Sequence, residues 1–449
     1  MTRVNFVESF SDSKGTYSTA SQNPFSDNQV VVCYDIRRNK RFLKNEGWLD
    51  NPSTIFDLRI IFGEEYDVIK LAKLKNIESI QDLEFEEKRF SANLKALEQS
   101  KVDIQDFSIE QIVPEEILTS YLSARFNAVK QIWNVVTDED ILNYEKNIWP
   151  VYKNILKIEE SKIFVDKEFI SRSIKKNDIG VHERKFLHHM NDLSTDGFLK
   201  TRISPVGSKT WRLRVEKGFM CMSVPHGICR EAIVSRFENG KIASLDFNAI
   251  DYRCIIKTVN DPDLNSFYEN CDDFHARTSS LFDSSIENLR DRTKKITYVH
   301  IYGGSVETLQ KNTILNRIKI VEMLSVLEKK FTPISLFRSK LSSESRERGF
   351  LFTPGGHKVI VEKDDHDGKV IGLFAQTFSS FILNETISVA LNFLDNRKSK
   401  LLFTVHDELI FDVHPDDEDD FSKLVEAIQA KTGFKIKMKK GKNYAEATK

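Results

Sequence analysis

Cysteine is scarce in this chain and has no pattern that suits a cross-linked or metal-bound protein. The 449 residues include five cysteines, which are Cys33, Cys221, Cys229, Cys254 and Cys271. Their number is odd and no two of them form a C-x-x-C pair, which argues against a disulfide framework and against a thiolate zinc site. We therefore expect a protein of a reducing compartment.

Long apolar runs and an excess of charge are also missing. The 66 Lys and Arg residues balance the 67 Asp and Glu residues to a net charge of -1, so a polyanionic partner would need local basic surface. No uncharged run is long enough for a membrane span, and the 40% hydrophobic content argues against wholesale disorder. The first residues resemble neither a secretory signal nor a transit peptide. These features predict a cytoplasmic protein with no membrane partner.

The chain divides into regions of different composition. Residues 30–142 alternate strand-like and helical runs, which predicts a small α/β lobe in the N-terminal region 1–142, and the polar residues 9–28 predict a mobile arm or an irregular entry to it. Residues 171–220 contain eleven Lys and Arg against five Asp and Glu, which is the most basic long stretch. There is no G-x4-GK[ST] sequence, so a Walker-type nucleotide site is not expected.

Two apolar runs near the C-terminus flank a polar triplet. Residues 401–405 and 409–413 are strand-like, and His406, Asp407 and Glu408 lie between them. This pattern predicts a β-hairpin whose turn projects Asp407. A carboxylate among desolvating strands is costly unless it meets a cation, although an ordinary polar turn fits the same pattern.

A second acidic residue stands at the end of another apolar strand. The run 242–246 stops at Asp246, and Asp251 follows five residues later. One such acid is usually a cap or a turn residue. If the two strands are neighbours in one sheet, however, Asp246 and Asp407 would form the oxygen-rich site that a pair of Mg²⁺ ions requires.

A helix with a stripe of cations and rings is predicted between these acids. Ser284 and Glu287 form an S-x-x-E pattern that predicts a capping box, and two glycines follow at 303 and 304. Side chains spaced by four form one stripe along the helix, and they are Arg290, Lys294, Tyr298 and Tyr302. Such a stripe suits a triphosphate at one end and a sugar and base at the other, but an amphipathic surface helix has the same spacing.

Taken together, these segments resemble the DNA polymerase I type of family A DNA polymerases. The run 246–253, the R-x3-K-x3-Y-x3-YG helix of 290–303 and the V-H-D-E run of 405–408 are similar to the three polymerase motifs of that family, in order. The likeness begins near residue 143 and reaches the last few residues. It includes a segment similar to the family's T-G-R-L at 210–213 and a glutamine-bearing helix around 376.

The resemblance implies an α+β, right-hand polymerase fold. It divides the chain into an N-terminal lobe (1–142), the thumb and start of the palm (143–240), the palm (241–283), the fingers (284–375), and the rest of the palm with the C-terminus (376–449). It also implies a monomer that extends a DNA primer on a template with deoxynucleoside triphosphates, and accessory replication proteins are candidates for further partners.

The resemblance further implies a role for each site residue. Asp246 and Asp407 would bind two Mg²⁺ ions, and Lys294 would also supply a proton to the leaving group. The nucleotide would lie against Arg290, Lys294, Tyr298, Tyr302, Gly303 and Asp251, and the DNA would lie against Arg212, Gln376, His406 and Glu408.

Several positions depart from the family pattern. Asp251 replaces the usual Glu that excludes a ribose 2′-hydroxyl, and it is one methylene shorter, which predicts weaker sugar discrimination. Trp211 replaces the Gly of the T-G-R-L segment. Tyr298 is similar to family members that accept dideoxynucleotides readily. We therefore expect a divergent and compact member, of the kind that a virus or phage would encode in an infected cell.

The N-terminal lobe resembles a reduced 3′-5′ exonuclease domain. Asp35 fits the first acid of that domain's D-x-E signature, but Arg37 stands where the Glu is needed, and Arg125 stands where a further Asp is usual. We expect no proofreading, with an unrelated small domain as the alternative.

For the whole chain, the alternatives are a single-subunit RNA polymerase and a polymerase-like DNA-binding protein that has lost catalysis.

Overall fold

The computed structural model describes residues 3–11, 16–20, 29–37, 39, 43, 55–62, 67–99, 113–216, 224–268 and 271–448. Contacts divide the chain into two units. One unit comprises Met1–Leu156 with Pro205–Gly207, and the other comprises Lys157–Ser204 with Ser208–Lys449. The division falls after Leu156 rather than after residue 142, and the finer domain boundaries remain predictions.

The first unit contains a four-stranded sheet with helices. Its strands are β1 (Arg3–Ser11), β2 (Thr16–Ala20), β3 (Gln29–Cys33) and β4 (Ile55–Asp57), in the order β2-β1-β3-β4. β2 is antiparallel to β1, and β3 is parallel to both of its neighbours, β1 and β4. Its helices are Leu58–Phe62, Val68–Leu74, Ile80–Gln99, Glu115–Trp133 and Asp138–Asn143, followed by the π-helix Tyr144–Ile148. The expectation of an irregular entry at 9–28 is wrong for β1 and β2, and the other residues of that range lie outside the described part.

The helix Trp149–Ser161 leads into the second unit, whose largest sheet has four antiparallel strands. These strands are β9 (Lys241–Phe247), β12 (Lys400–Val405), β13 (Glu408–Val413) and β14 (Ile436–Gly441), in the order β12-β13-β9-β14. Three two-stranded ladders pair β5 (Ile163–Phe164) with β6 (Phe198–Leu199), β7 (Ile203–Ser204) with β8 (Arg214–Val215), and β10 (Phe350–Phe352) with β11 (Lys358–Ile360). We call the four-stranded sheet the central sheet.

Helices make up most of the rest of the second unit. They are Lys167–Ile174, Val181–Leu193, Ile228–Glu231, Ile250–Val259, Pro262–Tyr268, Phe274–Ser279, Leu289–Tyr302, Val306–Thr313, Arg317–Lys330, Thr332–Arg348, Asp367–Leu394, Phe421–Thr432 and Tyr444–Ala447, with a 3₁₀ turn at Pro415–Asp420. One apolar cluster packs the central sheet against residues between 163 and 233. A second cluster packs Leu289–Tyr302, the pocket helix, against its neighbouring helices.

The helix Asp367–Leu394, which we call the long core helix, is apolar on nearly all sides. By length and composition it is the one helix of the described residues that could cross a membrane, yet 83% of its most apolar window is buried inside the protein. A helix that is hydrophobic all round is buried either by lipid or by its own protein. Here its own protein covers it, so it is the core helix of the second unit.

Candidate active site

A pocket of about 420 Å³ opens where β9 ends and β12 turns into β13. Ten of the twelve predicted site residues line it, and they are Arg212, Asp246, Asp251, Arg290, Lys294, Tyr298, Tyr302, Gln376, His406 and Asp407. Of the other two, Gly303 ends the pocket helix and Glu408 begins β13. Segments up to 195 residues apart in sequence, from 212 to 407, thus meet at one site.

The hairpin predicted around Asp407 is confirmed, and its turn faces β9. His406 and Asp407 form a two-residue connection between β12 and β13, and His406 has φ +54°, as tight hairpins require. β13 pairs with β9 so that Glu408 stands directly opposite Asp246. The antiparallel register therefore brings the two predicted metal-binding acids to the same end of the inner strands of the central sheet.

The two acids repel each other at the pocket, where Asp246 is exposed and Asp407 is half-buried. Burial, reinforced by the charges of Asp407 and Glu408, raises the pKa of Asp246 to about 7. Burial and the charge of Asp251 raise the pKa of Asp407 to about 6. Among the described residues, neither carboxylate forms an ion pair. A divalent cation between the two carboxylates would relieve this repulsion and favour their ionised forms.

The donor set fits a hard divalent cation with further ligands from elsewhere. No group of three or more His, Cys, Asp or Glu side chains in a metal-binding arrangement occurs in the described part of the chain. Two carboxylates are nevertheless enough for Mg²⁺, which usually keeps several waters and takes other oxygens from substrate phosphates. The acids therefore fit an ion that binds together with a phosphorylated substrate.

Glu408 shares the face of Asp246 and is held there by two hydroxyl groups. The Ser244 hydroxyl of β9 donates a short hydrogen bond to its Oε1, and the Tyr444 hydroxyl lies 3.5 Å from its Oε2. These contacts fix the carboxylate beside Asp246 without neutralising it. Ser244 and Tyr444 were not singled out in the sequence, because their partner comes from a different strand.

The pocket helix begins later than the sequence predicted. The capping box at Ser284 and Glu287 is wrong, because the helix starts at Leu289 after Asn288 in the left-handed conformation, with no side-chain cap. The predicted stop is confirmed, since Gly303 ends the helix with φ +76°. The later start leaves Arg290 in the first turn, near the mouth of the pocket.

Acidic neighbours orient Arg290. Its Nε donates to Asp273 at 2.7 Å and its Nη1 donates to Asp291 at 2.9 Å. Although burial acts to raise the pKa of Asp273, the bonds from Ala276 and Arg290 hold it below its usual value. Arg290 is thus held with part of its guanidinium free, and Lys294 follows one turn further along the pocket wall.

Two stacked rings form the far end of the stripe. The rings of Tyr298 and Tyr302 lie 5.8 Å apart and nearly parallel, and Tyr298 is 37% exposed. The Tyr302 hydroxyl donates to Asp251 at 2.5 Å, and Arg212 reaches the same carboxylate at 3.3 Å. Asp251, Tyr302 and Arg212 therefore form one bonded group, which the sequence did not predict.

Glycines of the long core helix allow it to approach Tyr302 closely. A Cβ at Gly368 would lie 2.3 Å from the Tyr302 carbonyl oxygen, and one at Gly372 would lie 2.9 Å from the Tyr302 ring. Only glycine permits this contact. One turn beyond Gly372, Gln376 enters the pocket from the same helix.

His275 is a buried side chain of the pocket wall beside Tyr298. Burial and the Lys294 charge lower its pKa to about 4, so the ring is neutral near pH 7. Its Nδ1 lies 3.4 Å from the Thr297 hydroxyl, and its ring lies 6.0 Å from that of Tyr298.

Comparisons with known proteins agree on one class of protein. The structure is similar to the polymerase domain of Pol1 from M. smegmatis, solved in complex with DNA primer-template and dNTP, with a TM-score of 0.70 and 13% identity over 95% of this chain and 88% of that chain. The fold is therefore the right-hand polymerase fold. The resemblance of the N-terminal lobe to an exonuclease domain remains a prediction.

Sequence comparisons give the family. The family model described as DNA polymerase family A matches residues 83–446. DNA polymerase I of Lactococcus lactis subsp. lactis is 24% identical over 46% of this chain and 26% of its own length. DNA polymerase I of Streptococcus pneumoniae strain R6 is 22% identical over 69% of this chain and 36% of its own length. The chain belongs to DNA polymerase family A, and these matches span about a quarter to a third of the relatives' length.

Proposed function

We propose that this protein is a DNA-templated DNA polymerase that adds deoxynucleotides to a primer 3′-hydroxyl and releases pyrophosphate. The observation that carries this proposal is the meeting of Asp246 and Asp407, both with raised pKa values, opposite the cations of the pocket helix. Phosphoryl transfer needs negative charge neutralised and the reacting oxygens aligned, rather than covalent help from the protein.

Asp246 and Asp407 would hold two divalent ions, for which Mg²⁺ is the best candidate. When bound, such ions neutralise phosphate charge and favour ionisation of the primer hydroxyl. The two carboxylates set the position of that hydroxyl at the end of β9. Family A polymerases generally use divalent metal, which agrees with the donor set.

Arg290 and Lys294 would bind the phosphates of the nucleotide. Arg290 is already oriented by Asp273, so it can contact a phosphate without losing much side-chain freedom. Lys294 lies in the pocket wall on the same side and lowers the pKa of Asp246. From this wall we infer that it supplies a proton to the leaving pyrophosphate.

The stacked rings would hold the nucleotide's sugar and base. Tyr298 offers an exposed ring face, and Tyr302 with Gly303 would close the templating pocket. Asp251 already accepts a bond from Tyr302, which holds its short side chain back from the sugar. We infer weak exclusion of ribonucleotides and ready use of dideoxynucleotides as chain terminators.

DNA would lie over the pocket mouth. Arg212 and Gln376 would contact the minor groove near the primer end, whose acceptors are nearly the same for every base pair. His406 and Glu408 would support the primer terminus from the hairpin. The basic residues within 171–220 would follow the duplex, so salt should weaken binding. A monomer in the cytoplasm, with or without accessory replication proteins, stays a prediction.

Proofreading is not part of the proposed function. In the N-terminal unit Arg37 replaces the expected Glu, and Asp57, the nearest buried acid, is saturated with hydrogen bonds. A buried carboxylate that is already fully bonded offers little to a metal ion. We therefore expect primers to stay intact when the protein is incubated with them and Mg²⁺ in the absence of nucleotides.

Primer extension tests the proposal. A labelled primer on a template is incubated with Mg²⁺ and either deoxy- or ribonucleotides, using the wild type and Asp407→Ala. We expect growth with deoxynucleotides that the substitution abolishes. Growth mainly with ribonucleotides would favour the RNA polymerase alternative. Binding of primed DNA without growth under any divalent metal would favour the catalytically inactive alternative.

A further inference from the structure

The edge strand of the central sheet places two lysines beside the acids. In the register of β14 with β9, Lys437 pairs with Asp246 and Lys439 pairs with Ser244. Side chains two residues apart in a strand share a face, so both lysines stand on the face of the sheet that carries Asp246. Both are exposed to solvent.

Their electrostatic situation differs from that of the next lysine in the strand. Lys440 points to the opposite face, where its Nζ lies 3.4 Å from a Glu418 carboxylate oxygen. Within the described residues, Lys437 and Lys439 form no ion pair. The register sets both lysines on the strand beside the acid end of the pocket.

Two functions are compatible with lysines on an edge strand. Charged side chains on an edge oppose pairing with the edge of another molecule, and that function requires no ligand. It does not explain why two unpaired ammonium groups share the acid-bearing face while Lys440 is neutralised on the other. Their Cα atoms are about 6.6 Å apart, which is comparable with the spacing of successive phosphates along a nucleic-acid strand.

We propose that Lys437 and Lys439 bind the backbone phosphates of the primer strand immediately upstream of its 3′ end. The inference rests on the proposed function, because the primer hydroxyl must come to Asp246 for nucleotide addition. A strand that ends at Asp246 and runs along β14 places its last phosphates over these two side chains. Their contact would set how the primer end lies against the acids.

Salt dependence of binding provides the first test. Affinity for a primed template is measured at several salt concentrations for the wild type, the double variant Lys437→Gln/Lys439→Gln and the matched control Lys440→Gln. Each lost phosphate contact lowers the slope of log affinity against log salt by about 0.9, so we expect a decrease of about 1.8 for the double variant. The control should keep the wild-type slope, and Lys437→Arg/Lys439→Arg should restore it.

Neutral linkages in the DNA identify which strand is bound. Methylphosphonates replace either the last two phosphates of the primer strand or the facing phosphates of the template strand. We expect the double variant to lose no further affinity on the primer-modified DNA, and to keep its defect on the template-modified DNA. Additive losses on the primer-modified DNA, or an unchanged salt slope, would overturn the inference.

The outcome is separable from that of the proposed function. A wild type that extends primers while the double variant retains full affinity and slope would refute the lysine contacts alone. A wild type that neither binds nor extends any primed template would refute both. Equal thermal unfolding of the double variant and of Lys440→Gln confirms that the comparison involves folded proteins.

Discussion

Two pairs of carboxylates lie at strand ends in this protein, and they differ in the hydrogen bonds and ion pairs that their oxygens form. In the second unit, Asp246 and Asp407 meet at the edge of the central sheet and form no ion pair among the described residues. In the first unit, Asp57 ends β4 and Asp35 follows the parallel neighbour β3. Each pair has a member with a raised pKa, but Asp57 is fully buried, whereas Asp246 is exposed and Asp407 half-buried where they line the pocket.

The hydrogen bonds of Asp57 account for the difference. Its two carboxylate oxygens accept from the backbone N–H groups of Asp35, Ile36 and Arg59 at 2.7–3.0 Å and from the Tyr152 hydroxyl at 3.1 Å. Burial and the charge of Asp35 still raise its pKa to about 6. Asp57 therefore fastens β4 to the segment after β3. A raised pKa alone does not identify a catalytic acid. The hydrogen bonds of the carboxylate oxygens distinguish a structural acid from a catalytic one.

The comparison predicts its largest effect on nucleotide addition. Asp246→Asn should lower the rate by about 10³-fold or more, because a site that has lost several kcal/mol of charge stabilisation loses about that factor. Asp57→Asn should change the rate less than threefold at a temperature where it is folded. Single-turnover extension measures both. Comparable losses in the two variants would contradict the assignment of distinct roles.

The reverse order is expected for folding. Asp57→Ala removes an acceptor from four buried or half-buried donors, so we expect the first unit to lose about 3 kcal/mol of stability. The control is Asp67→Ala, which removes an exposed cap bonded to the Lys70 N–H at 2.8 Å and should cost about 1 kcal/mol. Urea unfolding followed by intrinsic tryptophan fluorescence measures both costs. Equal losses of stability in the two variants would show that Asp57 stabilises the first unit no more than an exposed helix cap does.

The sequence predicted the acids of the second unit better than those of the first. Asp246 and Asp407 each end an apolar run, so pattern alone placed them at strand ends, and family resemblance placed them together. Asp57 is the last of only three strand residues, and its partners come from positions up to 95 residues away, such as Tyr152. No local pattern records such contacts.

The same limit applies within the pocket. The spacing of Arg290, Lys294, Tyr298 and Tyr302 predicted their common face, because helical geometry fixes it. The start of that helix was missed, since Asn288 begins it by adopting a left-handed conformation instead of accepting the predicted cap. The bond from Tyr302 to Asp251 was missed because it depends on how closely Gly368 and Gly372 let two helices approach.

The pH dependence of the free energy of unfolding should distinguish the two pairs of carboxylates further. A carboxyl whose pKa is raised on folding contributes most stability below its unfolded pKa near 4, and this contribution is lost as pH rises through the folded pKa. For Asp246, Asp407 and Asp57 that loss falls at about pH 6 to 7. In EDTA at pH 8, Asp407→Asn should therefore be more stable than wild type by about 1–2 kcal/mol, whereas Asp57→Asn should be less stable.

Added Mg²⁺ provides the control for this experiment. It should stabilise the wild type at pH 8, because the ion relieves the repulsion between Asp246 and Asp407. It should have little effect on Asp407→Asn and should not rescue Asp57→Asn. Thermal unfolding at pH 5 and pH 8, with EDTA or Mg²⁺, gives all the values. Lower stability of Asp407→Asn than of wild type in EDTA at pH 8 would contradict the proposed repulsion.

The smallest expected change in stability concerns residues with positive φ at or near each pair of carboxylates. Ala249 and Asp35 both have positive φ, +51° and +67°, but only Asp35 uses its side chain there, to accept from the Arg37 N–H at 3.0 Å. An alanine in this conformation costs about 1–2 kcal/mol, of which glycine recovers part after its own entropic cost. Ala249→Gly should therefore raise stability by about 0.5 kcal/mol, whereas Asp35→Gly should lower it. Urea unfolding of both variants checks the two signs, and destabilisation by Ala249→Gly would mean that its methyl contacts outweigh the relief of strain.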